Sequence, residues 1–167
     1  GLQSHQHQGS WGLEKTEEIL SRFEKFGLPI HFTENTLVSG PLVPAYIEDL
    51  NDWHYNDDDS KPEFEERQKV ELQEMLTNVF ENHPLVKAFT IWDFTDGAWL
   101  NAPSGVLRRD NSKKPVYDML KNLIKNQWHS AGTAKSDANG NITIEGFKGV
   151  YQLETMNGEK LSDVTIA

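Results

Sequence analysis

The run Gly27-Leu28-Pro29-Ile30-His31-Phe32-Thr33-Glu34-Asn35 decides how the rest of the chain is read. Pro29 to Thr33 reads as a short apolar strand, and it directly follows an amphipathic stretch, Leu13 to Phe26, whose Leu13, Ile19, Leu20, Phe23 and Phe26 recur at helical spacing. Gly27 supplies the helix stop. Glu34 then falls at the end of the strand, and in α/β barrels the chemistry sits at the C-terminal ends of strands and in the loops after them. A glutamate in that place is a candidate nucleophile or acid; its alternative reading is a solvated or salt-bridged side chain.

Working outward, the segment before this helix, Gly1 to His5, reads as the end of a strand. After Glu34, residues 35–62 show no clear period and carry Gly40, Pro41 and Pro44, and so long a loop is usually functional. Glu63 to Glu81 reads as a second helix, with Val70, Leu72, Met75, Leu76, Val79 and Phe80 as its apolar side. Asn82-His83-Pro84 breaks it. Val86 to Trp92 is a third strand, and Pro115 opens a third helix carrying Val116, Leu120, Leu123 and Ile124. Strand and helix alternate three times, which predicts parallel strands joined by right-handed crossovers. Three such units leave open sheet edges, and 167 residues fall short of the roughly 250 of a whole (β/α)8 barrel, so strands from outside this sequence are expected to complete the sheet.

From His129 the composition changes. Asp137-Ala138-Asn139-Gly140-Asn141 is turn-rich, Asn139-Gly140 favours a type I′ turn, and Ile142-Thr143-Ile144 followed by Val150-Tyr151-Gln152-Leu153 reads as a hairpin or small β module. The expected division is 1–128 as barrel and 129–167 as a β-rich C-terminal appendage too small to hold a core alone.

Composition excludes several classes. A net charge of −10, with 26 acidic against 16 basic residues, repels phosphate backbones and argues against nucleic acid as a partner. A neutral polysaccharide meets no such barrier. The absence of cysteine removes disulfides, thiolate catalysis and Cys-based zinc sites. No run approaches the eighteen or so apolar residues of a membrane span, so no membrane partner is expected. His5 and His7 share a strand face, but two histidines do not make a metal site, and neither a metal nor another cofactor is expected. The run Asp57-Asp58-Asp59 lacks the alternating ligand spacing of a calcium loop and reads as solvated surface.

Taken together, Gln3-Ser4-His5, Pro29-Ile30-His31-Phe32-Thr33-Glu34 and Ile91-Trp92-Asp93-Phe94 with Trp99 resemble the second half of family 10 glycoside hydrolases, the endo-1,4-β-xylanases. The resemblance runs from about Gly1 to Trp128. It implies the C-terminal portion of a (β/α)8 TIM barrel, about strands 6 to 8 with their helices, and a retaining mechanism in which two carboxyl groups about 5 to 5.5 Å apart attack and protonate. Thr33-Glu34 matches the pair that provides the nucleophile. Gln3 and His5 match the glutamine and histidine beside it, and Trp92 and Trp99 resemble the tryptophans that wall the sugar site, although burial is the ordinary reading of a tryptophan at a strand end.

Two departures stand out. The acid/base glutamate of the family lies in an Asn-Glu pair for which this sequence has no match; Asp93 and Asp96 read more simply as loop caps. The family often has an acidic residue two positions after the nucleophile, supporting the histidine, where this chain has Thr36. The resemblance therefore implies xylan or xylo-oligosaccharide as ligand, the N-terminal half of the barrel as partner, inactivity without it, and a secreted or periplasmic location. The rival class is a non-catalytic carbohydrate-binding or scaffold fragment, with Glu34 merely accepting hydroxyl hydrogen bonds.

Overall fold

The computed structural model describes residues 1–166, and the chain divides into two compact units, one of Gly1–Leu120 and one that starts at Lys121. In the first, β1 (Leu2–Gln6), α1 (Gly12–Glu24), β2 (Ile30–Leu37), α2 (Pro62–Asn82) and β3 (Val86–Ile91) alternate along the chain before α3 (Pro115–Asn122) begins. The three strands form one parallel sheet in the order β1-β2-β3. β2 is therefore paired on both sides, whereas β1 and β3 are each paired on one.

Helices cover one face of this sheet. Leu20 of α1, Ile30 and Phe32 of β2, and Met75 and Val79 of α2 make a buried cluster, with Leu2, Trp11, Val86 and Phe89 packed against it. Full burial of a side chain such as Phe32 or Leu20 contributes roughly 1.5–3 kcal/mol, so these few residues hold the helices on the sheet. Trp11 meets this cluster directly before α1, as a staple would.

The helical faces are narrower than periodicity suggests. On α1 only Thr16 and Leu20 are buried, one turn apart; Leu13 and Phe23 remain exposed, as does Phe26 just beyond the helix. On α2 the buried stripe runs Glu65, Gln68, Leu72, Met75, Leu76, Val79, which leaves Val70 and Phe80 off the seam and exposed. Ile124 is likewise exposed, in the π-helical turn Leu123–Gln127 that follows α3.

The strand expected to stop at Thr33 continues to Leu37. Leu2 pairs with Phe32 and Gln3 pairs with Glu34, so Thr33 is an extra residue in β2, a bulge with its hydroxyl donating to the Leu2 carbonyl. Above the bulge Ser4, His5 and Gln6 pair with Asn35, Thr36 and Leu37. Polar Thr33 to Thr36 hides the strand from a propensity reading, and pairing with β1 supplies what propensity lacks.

The long connection after β2 is packed. Val38, Val43, Tyr55 and Ala102 form a second buried cluster, and Ile47, Leu50 and a half-buried Trp53 pack against it. A 3-10 turn, Leu50–Asp52, interrupts it, capped by the Asp49 side chain accepting from the Asn51 N–H.

In the second unit β4 (Gly149–Glu154) pairs antiparallel with β5 (Lys160–Ile166), and Ile142–Ile144 is not a strand. The β4–β5 loop is a turn closed by Gly158 at φ 81°, with the Gly158 N–H donating to Thr155 O. Asp137 to Asn141 closes in the same way, with Gly140 at φ 83° and no left-handed φ at Asn139. A type I′ turn needs both central residues left-handed, so Asn139-Gly140 makes a different, three-residue loop.

Candidate active site

Parallel pairing and the bulge place Gln3, His5, Glu34 and Thr36 together. Asn35 turns its amide to Ser4 Oγ at 2.8 Å and toward Met75 of α2, which leaves its neighbours Glu34 and Thr36 on the sheet face away from that helix. Glu34 Oε1 accepts from Gln3 Nε2 at 2.8 Å, and Oε2 meets His5 Nε2 at 2.8 Å. The other ring nitrogen of His5, Nδ1, lies 2.9 Å from Thr36 Oγ1. Ser4 Oγ donates to the Glu34 carbonyl at 3.1 Å, which fixes the backbone beneath the carboxylate. The side chains of His5 and Glu34 are each about one-fifth exposed, 20% and 21%, so the carboxylate is oriented yet reachable.

Two tryptophans complete the wall. The Trp92 ring stands edge-on to His5 at 5.7 Å, Trp99 lies 4.8 Å from His5, and the two indoles meet at 6.2 Å and 77°. Trp92 is 46% exposed, which decides against the burial reading for it. Flat apolar faces beside hydrogen-bonding groups suit sugar rings, whose C–H faces pack on aromatics while their hydroxyls find polar partners.

The loop carrying Trp99 is held from within. Gly97 adopts φ 81° and its N–H donates to Ala102 O at 2.8 Å, while Ala102 N–H returns to Trp99 O at 2.9 Å. Leu100 and Asn101, at φ 52° and 55°, turn the loop over. Asn101 then donates to Tyr55 O at 2.8 Å and receives the Arg109 guanidinium on its own Oδ1 at 2.8 Å.

Asp93 and Asp96 are buried. Asp93 accepts the Ser104 hydroxyl, and Asp96 accepts the Gly105 N–H at 2.9 Å and the Lys114 ammonium. Burial raises both carboxyl pKa values; Ser104 opposes the shift at Asp93, and Lys114 opposes it at Asp96. These are structural acceptors, as loop caps are.

His7 lies behind the site, buried, with its ring 6.3 Å from His5 and 5.1 Å from Trp99. Burial, with His5 nearby, lowers its pKa to about 4, so it packs as a neutral ring. Among the described residues no cluster of three or more His, Cys, Asp or Glu side chains is placed to hold a metal ion.

Sequence reading overlooked the ionic scaffold under the site. Glu65, buried on α2, takes a two-pronged contact from Arg108, Nε to Oε1 at 2.7 Å and Nη2 to Oε2 at 2.6 Å. Lys114, fully buried, also donates to Ser39 Oγ at 2.8 Å. Charged residue types carry no signal of burial in a single sequence.

Parallel strands with helices covering one face and a braced carboxylate on the other are the features of part of an α/β barrel. The family described as glycosyl hydrolase family 10 matches residues 1–123 by its sequence model, and the chain belongs to that family. Solved structures share its fold. A GH10 endoxylanase from a sugarcane soil metagenome superposes with a TM-score of 0.59 at 18% identity, over 72% of this chain and 40% of its own. Xylanase B from Clostridium stercorarium F9 gives 0.54 at 17%, over 71% and 34%. Xylanase 10B from Thermotoga petrophila RKU-1, solved with xylobiose, gives 0.51 at 20%, over 75% and 35%. The chain thus spans between a third and two fifths of these enzymes. No curated protein matches it. Among the described residues no helix is long and apolar enough to cross a membrane.

Proposed function

We propose that this chain is the part of a retaining endo-1,4-β-xylanase that carries the nucleophile, Glu34, with its three strands as strands 6 to 8 of the barrel and residues 129–167 as an appendage. The observation that carries the reading is the bracing of one partly exposed carboxylate from both oxygens, by Gln3 and His5, beside the Trp92–Trp99 wall. A nucleophile must be held in line with the anomeric carbon, and two hydrogen bonds from an adjacent strand do so. Gln3 and His5 also take up carboxylate charge while the glycosyl ester forms and breaks.

The second carboxyl group, which protonates the leaving oxygen, is assigned outside this chain, because Asp93 and Asp96 are already committed to Ser104, Gly105 and Lys114. The remaining strands would pair with β1 and β3. Xylan or xylo-oligosaccharide is the ligand we assign, on family membership and the xylobiose complex of the Thermotoga petrophila relative, and a polymer of that size points to action outside the cytoplasm.

The test supplies the missing barrel half, in one polypeptide or as a second chain, and follows reducing-sugar release from xylan. Assembled wild type should turn over and Glu34→Ala should lose about 10⁴-fold or more, as removal of a nucleophile does in a comparable covalent mechanism. Near wild-type hydrolysis by Glu34→Ala overturns the assignment. Glycan binding with no turnover in the assembled protein would favour the non-catalytic alternative.

A further inference from the structure

Thr36 stands directly across from His5 in the β1–β2 pairing, and it is buried, so no solvent competes for its hydroxyl. The chemistry of its two neighbours fixes which way the hydrogen bonds run. An ionised Glu34 can only accept, so His5 Nε2 must carry a hydrogen toward Oε2. A neutral imidazole has one N–H; with it on Nε2, Nδ1 is a bare acceptor, and the Thr36 hydroxyl 2.9 Å away is the donor that fits it. The relay runs Thr36 O–H to His5 Nδ1, then His5 Nε2–H to Glu34.

We propose that Thr36 is a positioning residue that donates to Nδ1 of a neutral His5 and so holds the ring with its Nε2–H aimed at Glu34; its bearing on catalysis rests on the nucleophile reading above. The choice of residue type matters chemically. A carboxylate at position 36 could only accept, as Glu34 does, and a histidine between two acceptors must hold hydrogens on both nitrogens and a positive charge. A hydroxyl asks for no such charge. Glu34 is then braced by hydrogen bonds from uncharged donors, Gln3 and His5, which leaves more of its negative charge available for attack.

The tautomer can be read without turnover. The full chain, labelled with ¹⁵N-histidine and assigned with His5→Gln, is examined by long-range ¹H–¹⁵N NMR at neutral pH. Wild type should show Nδ1 of His5 unprotonated and Nε2 protonated; Thr36→Ser should preserve this, Thr36→Val should keep the hydrogen on Nε2 but shift the Nδ1 resonance, which has lost its hydrogen bond, and Thr36→Asp should protonate both nitrogens. A wild-type His5 with hydrogen on Nδ1 overturns the proposal, as does a Thr36→Val spectrum identical to wild type. If the Val variant does not fold, wild type and Thr36→Ser still decide. In the assembled barrel Thr36→Val should lower kcat roughly 10- to 100-fold, the scale of other partners that orient a histidine, with KM little changed and Thr36→Ser restoring it. An active Glu34→Ala alongside the expected tautomer would remove the nucleophile reading and leave the tautomer assignment standing; the reverse pattern would do the opposite.

Discussion

Lys114 Nζ lies 2.5 Å from Asp96 Oδ1, and both side chains are out of water. Burial lowers the Lys114 pKa and raises that of Asp96, and each charge counteracts the shift in the other. The pair fastens the residue before α3 to the turn that leads into the Trp99 loop. Removing one partner strands the other charge, so Lys114→Met should destabilise the protein by about 3–5 kcal/mol. Denaturant titration measures it. Lys114→Met with Asp96→Asn should recover part of the loss, and a single Met variant as stable as wild type would show that the pair contributes nothing.

Gly105 is required for its missing side chain. A Cβ there would stand 2.3 Å from the Thr95 carbonyl carbon and 2.5 Å from the Asp96 nitrogen, both backbone atoms with nowhere to go. Gly105→Ala should therefore cost about 1–3 kcal/mol or more, in the range of other overpacked sites. Thermal unfolding checks it, and Gly132→Ala, where no atom lies within 4 Å, is the neutral comparison.

His83 clamps α1 to α2. Its Nδ1 lies 2.9 Å from Glu24 Oε1 and its Nε2 2.9 Å from Glu17 Oε1. Burial alone would lower the His83 pKa, but hydrogen bonds to Glu17 and Glu24, and their charges, more than offset it and leave it raised above 6.5. Its contribution is present in full below the unfolded value of 6.5 and is lost as pH rises through the folded value. Glu17 behaves oppositely: hydrogen bonds from Asn78 and His83 lower its pKa below 4.5, so its share fades as pH falls through the folded value. Stability should decline from pH 6 to 9 in wild type and decline less in His83→Gln, by roughly 1–3 kcal/mol at the acidic end. Parallel stability curves for the two proteins would refute the clamp.

Trp99 touches both His5 and Trp92, so it is the tryptophan whose loss should open the wall. In the assembled barrel Trp99→Ala should weaken xylo-oligosaccharide binding about tenfold, the effect of losing an aromatic anchor worth more than 1 kcal/mol. Titration calorimetry reads it directly. Trp53→Ala, in the packed connection after β2, should lower stability first and affinity little.

Much of this was legible beforehand. The order of strands and helices follows from periodicity, and the resemblance to a family brings Gln3, His5 and Glu34 together. What escaped was polar. Thr33 to Thr36 carries too little apolar character to announce a strand, because β1 rather than side-chain burial holds it in the sheet. The burial of Lys114, Asp96 and Glu65 has no sequence signal, because residue type records charge and leaves out the partner that makes burial tolerable. Leu13, Phe23 and Val70 err the other way: the helical period gives a direction, and only packing says how wide the covered stripe is. Pattern alone points to Ile142–Ile144 as the hairpin partner of β4, whereas the partner is β5, which alternates weakly and whose pairing is set by the loop at Gly158.

If strands from outside this chain complete the barrel as proposed, the borders at β1 and β3 make molecularity a property of the assembly. Strands that arrive on the same polypeptide meet those borders at an effective concentration set by the connecting chain, typically millimolar for short flexible links, and dilution does not touch it. Strands on a separate polypeptide arrive by a second-order step, and two copies of this chain then compete with them for the same backbone groups. Specific activity that falls on dilution would mark the second case, and activity proportional to protein at every concentration the first.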